Sequence, residues 1–125
     1  MTFKIAALLP VLGLAALAGC VEFGDTGAVR DANALAIACD TDAAVSLSAR
    51  TARGTGLAAE LAELQQVVFL RDAGRRAEAD RILAARYQRV EADADTRAET
   101  EKAVQTSLSD LRAERARQTG QQSCN

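Results

Sequence analysis

"LAAELAELQQVVFLRDAGRRAEADRILAARYQR" spans residues 57–89, and its apolar spacing decides the fold class. Leu57, Leu61, Leu64 and Val68 recur at i, i+4, i+7 and i+11, which places them on one face of a helix. Beyond "DAG" (72–74), a second face of the same period holds Ala79, Leu83 or Ile82, Tyr87, Val90 and Ala94. Gly74 can take positive φ, as a helix end requires, so the stretch predicts two helices joined by a tight turn. Asp72, Arg76 and Asp80 form an i, i+4 ladder of alternating sign, expected on the solvent side.

The same period extends outward in both directions. In "TDAAVSLSARTAR" (41–53) the stripe Ala44, Leu47, Thr51 is weak, "GTG" (54–56) is a break, and Thr55 is a candidate cap. On the other side, Thr96 followed by Glu99 has capping-box spacing and predicts a helix start in "DTRAETEKAVQTSLSDLRAERARQ" (95–118). The alternative is one long helix through "EADAD" (91–95). The stripe Ala103 or Val104, Leu108, Leu111 is thin and ends in Arg115, so this helix is expected to be mostly solvated. The fold class read from these patterns is all-α. It is a small antiparallel helical bundle or hairpin of about four helices, with breaks near 55, 73 and 95.

Composition narrows the function. A chain of 125 residues has room for one small domain. A net charge of -2, with 3% aromatics and no Trp, offers neither the basic footprint nor the stacking platforms of a nucleic-acid binder. The chain has no His, which removes the commonest general base and transition-metal ligand. Much of the 49% apolar content is Ala, so a thin core is expected.

The N-terminus reads as an address. Lys4 precedes an apolar run from Ile5 to Leu17, interrupted by Pro10 and Gly13 and too short for a spanning helix, which needs about 20 residues. It fits a secretory signal, with residues 1–19 set apart from the fold. "LAGC", Leu17, Ala18, Gly19 and Cys20, resembles the lipobox of bacterial lipoprotein precursors at all four positions. The resemblance implies diacylglycerol on the Cys20 sulfur, cleavage after Gly19 by a lipoprotein signal peptidase, and acylation of the new amino group. An ordinary secretory signal followed by a chance cysteine is the alternative. Buried methylenes contribute about 0.8 kcal/mol each, so two or three acyl chains on Cys20 would hold the protein to its leaflet. Val21, where a retention signal would place Asp, implies the outer membrane rather than the inner. Residues 20–39 then make a lipidated cysteine and flexible tether, and residues 40–125 the helical domain.

A shorter resemblance lies in "LRDAGRRAEADRIL" (70–83), which is similar to the inter-helix turn of a tetratricopeptide repeat, with Gly74 followed by Glu78 and Ala79. It implies one close-packed hairpin at about 57–92. Glu63, Gln66 and Val67 stand where the repeat's signature residues belong, and Glu91 where its closing Pro would be. A generic αα-hairpin is the competing description, because one hairpin cannot stack into a solenoid.

With Cys20 lipidated, Cys39 and Cys124 remain, and in an oxidising compartment such a pair is expected to form a disulfide. Closing that long loop is worth about 4.5 kcal/mol by chain entropy. Free thiols are the alternative. The bridge would bring both ends of the helical domain to one end of the bundle, which an even number of helices satisfies.

Catalytic candidates are sparse. Ser46 or Ser48 with Lys102 could form a Ser-Lys hydrolase dyad only if the fold joins them. Asp40/Asp42 and Asp93/Asp95 read as helix caps rather than calcium ligands, and Arg71, Arg75 and Arg76 as a solvated helix end or a contact for lipid phosphates. No catalytic residue, metal or cofactor is assigned. The expected function is that of a membrane-anchored envelope lipoprotein acting without catalysis, through contact with another envelope protein. Candidate contacts are Leu57, Leu61, Leu64, Val68, Leu108 and Leu111. An accessory or inhibitory lipoprotein of a plasmid or phage is the alternative.

Overall fold

The computed structural model describes residues 26–125. The lipobox residues Leu17, Ala18, Gly19 and Cys20 lie outside this range. Within it the chain forms α1 (Thr26–Ile37), α2 (Thr41–Ala52), α3 (Leu57–Asp72), α4 (Arg76–Arg89) and α5 (Ala94–Thr119). The fold is all-helical, with no strand among the described residues.

The first difference from the sequence expectation is α1. Residues 26–37, expected in the tether, form a packed helix whose Ala28, Ala32 and Ala36 are buried at i, i+4 and i+8. A small-residue stripe lets helices approach closely, but it carries no large apolar side chain to announce a period. The described helices therefore number five, and four of them lie between Cys39 and Cys124. The breaks fall at 53–56, 73–75 and 90–93.

Three of the helix ends share one chemistry. Cys39, Gly74 and Glu91 adopt φ of 63°, 77° and 51°. After each, the next residue's N–H donates back five residues: Asp40 to Leu35, Arg75 to Leu70 and Ala92 to Tyr87. This Schellman arrangement satisfies orphan carbonyls and turns the chain sharply. Gly120, at φ 79°, ends α5 with the simpler bond from its N–H to Ala116. Glu91 explains why "EADAD" breaks although it contains no Gly or Pro. Two caps differ from expectation. Asp93, not Thr96, caps α5 by accepting from the Thr96 N–H, and Gly56, not Thr55, occupies the cap position of α3. The Asp93 oxygen lies three residues nearer the turn, where it meets an N–H of the first helical turn.

Helix α3 is central and packs against all four other helices. Its C-terminal half, Val67, Val68, Phe69 and Leu70, is buried all round because neighbours enclose it. Helix α5 packs on α1 and α3. Its stripe Val104, Leu108, Leu111 is buried and continues in phase to Arg115, which has no exposed surface.

All five guanidinium N–H groups of Arg115 find acceptors. Nε donates to Ile37 O (3.4 Å), Nη1 to Asp72 Oδ1 (3.2 Å) and Gln122 O (2.7 Å). Nη2 donates to Ala36 O (2.7 Å) and Asp72 Oδ2 (2.6 Å). Asp72, expected in a solvent ladder, instead buries its carboxylate between Arg115 and Arg112. The Arg76–Asp80 step of that ladder is present at 3.9 Å. The Cys39–Cys124 disulfide (Cα–Cα 5.5 Å) joins the same two chain segments that Arg115 bridges, 36–39 and 122–124.

Replacing Arg115 by Met should cost about 3 kcal/mol, because a buried carboxylate loses its main partner. Arg115→Lys should recover little of this, since an ammonium cannot reproduce the planar five-donor fork. Glu91→Gly should stabilise the fold by about 0.5–1 kcal/mol, the left-handed cost of a side chain less the entropy cost of Gly. Urea unfolding at neutral pH measures all three.

Candidate interaction groove

Between α3 and α5 lies a groove of about 670 Å³, with α1 contributing part of its wall. Helix α3 contributes Leu61, Leu64, Gln65 and Val68, and Phe69, Val104 and Leu111 form the floor. Val29 and Asn33 enter from α1, and Ala103, Ser107, Asp110, Glu114 and Arg117 line the α5 side. The lining is mainly apolar at depth and polar along the α5 rim. Asp110 is exposed on that rim, whereas Glu114 is engaged by Arg117 and Gln118.

The walls are held by specific bonds. Gln65 Nε2 donates to Val29 O at 2.8 Å, pinning α1 to α3, while Gln65 Oε1 is buried without a donor. Arg71 joins α3 to α5 through a bidentate pair with Glu101, at 2.5 and 3.0 Å. Arg86 joins α4 to α3 through Glu60 and Glu63, and Arg89 adds to Glu63. Arg71 hydrogen bonding holds the Glu101 carboxyl below the usual range. Partial burial works against the shift at Glu63, but bonds from Arg89 and Arg86 overcome it and lower that carboxyl too.

The expected contact residues divide into groups. Leu61, Leu64, Val68 and Leu111 line the groove together. Leu57 and Leu61 are 48% and 42% exposed, so the N-terminal half of their stripe lies outside the core. The core face of that half is made instead by Ala58, Ala59 and Ala62, a small-residue face that faces the other helices. Val68 and Leu111 are at the floor and already buried, and Leu108 is buried on another side of α5, where it borders a small polar hollow. A partner could therefore reach Leu57, Leu61 and Leu64 but not Leu108.

The remaining candidates have structural occupations. Ser48 is buried with its hydroxyl unpartnered, and the Ser46 hydroxyl accepts from Arg50, so neither joins Lys102. Asp42 pairs with Arg75, which also holds Glu78, and Asp93 is the α5 cap. The arginine patch expected at a helix end is thus divided: Arg71, its side chain buried, pairs with Asp80 and Glu101, Arg75 makes surface pairs with Asp42 and Glu78, and Arg76 reaches Asp80. No cluster of three or more metal-binding side chains occurs among the described residues. No helix among them is long and apolar enough to cross a membrane. Arg115 and Asp72 were missed as a pair, although Arg115 lies in phase with Val104, Leu108 and Leu111.

The floor and the rim should separate under mutation. Phe69→Ala should cost about 3–5 kcal/mol, as for a buried aromatic, while Leu61→Gln should stay within about 0.5 kcal/mol of the parent. Acid should reveal the ion pairs. Glu63 and Glu101 have lowered folded values, so their stabilisation is complete above the ordinary glutamate value of about 4.3 and is lost as pH falls through the folded values. Stability measured by urea unfolding should be level from about pH 7 to 5 and fall below about 4.5. Compared with known protein families, curated proteins and solved structures, the chain matches none.

Proposed function

We propose that this chain is a lipid-anchored envelope protein, fixed to its leaflet through Cys20 and acting without catalysis by binding another envelope protein along the α3–α5 groove. The observation that carries the contact half is the uncovered apolar edge: Leu57 and Leu61 stand exposed beside an open groove floored by Phe69, Val104 and Leu111. An amphipathic helix with apolar side chains at i, i+3 or i+4 and i+7 matches such a groove. The antiparallel bundle drawn from the sequence supplies the rigid frame, closed by the bridge between Cys39 and Cys124. The anchor half rests on "LAGC" at 17–20 and on the apolar run before it. With residues 1–19 removed, the body would face the periplasm, on the outer membrane by the Val21 criterion.

Fatty-acid labelling tests the anchor. Label should appear on the parent chain and disappear in Cys20→Ser, which should accumulate as an unprocessed precursor; label persisting in the variant rejects lipidation at Cys20. A photo-crosslinking residue at position 61 in intact cells tests the contact. It should give one discrete heterologous adduct that a probe at exposed Glu99 does not, and identical patterns from both positions reject the groove as the contact site.

A further inference from the structure

The disulfide lies outside the core that it closes. Cys39 and Cys124 are both exposed, and so is every residue from Gly120 to Asn125. Residues 121–125 therefore bury no side chain. Apart from the bridge they are held by the Arg115 Nη1 bond to Gln122 O (2.7 Å) and by short-range bonds with Thr119. Arg115 does not depend on them, because its other four bonds go to Ala36 and Ile37 of α1 and to Asp72 of α3. The bridge thus duplicates a join that Arg115 already makes between α1 and α5, and its separate effect falls on residues 121–125. Exposed bridges are the ones open to thiol exchange, whereas enclosed structural ones resist the reductants of their compartment. Gln122 also walls the small hollow that Leu108 and Arg112 border.

We propose that the Cys39–Cys124 bridge is a reducible latch, opened by a dithiol, that releases residues 121–125 while the helices stay folded. The thiolate of the dithiol attacks Cys124 Sγ, forming a mixed disulfide, and Cys39 leaves as a thiolate that takes a proton from solvent. The second thiol of the reductant then attacks its own sulfur in the mixed disulfide, freeing Cys124. The reductant is oxidised to a disulfide and the protein gains two thiols, a two-electron exchange. Cys124 is the sulfur attacked because it lies in a non-helical stretch free to swing outward. Cys39 is fixed between α1 and α2, its N–H bonded to Ala36 O at 3.1 Å. Release removes the Gln122 acceptor from Arg115 and one wall of the hollow, so the reduced form presents a side of α5 at Leu108 and Arg112 that the oxidised form covers. The latch uses neither the lipid nor the α3–α5 groove, so it can fail or hold independently of the proposed function.

Dithiothreitol is the probe, applied to the full chain, with alkylation resolved by peptide so that Cys39 and Cys124 are read apart from Cys20. Without denaturant, the bridge should be reduced no more than several-fold more slowly than in the same chain unfolded in urea. The helical circular dichroism should persist after reduction. The amides of Ala38, Cys39 and Asp40, which bond to Ala34, Ala36 and Leu35, should then exchange faster, by several-fold more than any change at Val67–Leu70. With glutathione as a single-thiol nucleophile, the first trapped adduct should carry glutathione on Cys124 and the alkyl group on Cys39. Reduction that requires urea, loss of helix on reduction, or equal quickening at 38–40 and 67–70 would each overturn the latch. A first adduct on Cys39 would overturn the order of attack.

Discussion

Arg115 is a cation with no exposed surface, and the packing of this protein is arranged around satisfying it. A buried guanidinium is tolerable only with every donor paired and a counter-charge at hand. Asp72 supplies the charge from the last residue of α3, and the carbonyls of Ala36, Ile37 and Gln122 take the remaining donors. Two of those carbonyls belong to the end of α1, where helical carbonyls lack intrahelical partners. One side chain of α5 therefore fixes the ends of α1 and α3 and the C-terminal segment at a single point. The disulfide closes the same place covalently.

Such a clamp matters more here than in most small domains. Among the described residues, half of the buried apolar side chains are alanines, each of which contributes little transferred area. Packing concentrates in the Val67–Leu70 run and its neighbours, and the helix ends depend on polar chemistry. The clamp also has a geometric result. It holds the C-terminal part of α5 against the ends of α1 and α3, while the earlier half of α3 continues away from it. The groove runs along the same two helices that the clamp joins, lined by residues 61–69 of α3 and 103–117 of α5.

The helical period of residues 57–89 was legible, because large apolar side chains mark it, and so were the breaks at Gly74 and at "GTG". The Cys39–Cys124 bridge, expected from the cysteine count under the lipoprotein reading, is present. What stayed hidden has common physical causes. Alanine stripes pack helices closely without a strong apolar signal, so α1 read as tether and Ala58, Ala59 and Ala62 were passed over in favour of the leucines. Those leucines do form a face, but it borders a groove instead of the core. Charged residues are read as solvent-facing by default, and this hid both Arg115 and Asp72. A charge that continues an apolar stripe in phase, as Arg115 does after Leu111, is the pattern that distinguishes a buried ion from a surface one. The break between α4 and α5 was expected near 95 from the Thr96–Glu99 spacing, but that the chain turns at Glu91 was not readable from residue type, since a side chain at positive φ is a tertiary choice.

Native-state hydrogen exchange, resolved by residue, tests the clamp most directly. In the parent protein the amides of residues 32–37 should exchange only with global unfolding, at the rate of those in Val67–Leu70. With Arg115→Met and the disulfide intact, α1 and residues 120–125 should open in a separate, lower-energy step while Val67–Leu70 keeps the protection set by the remaining global stability. A uniform loss of protection across all five helices, or an α1 as protected as the centre of α3 in that variant, would contradict the role assigned to Arg115.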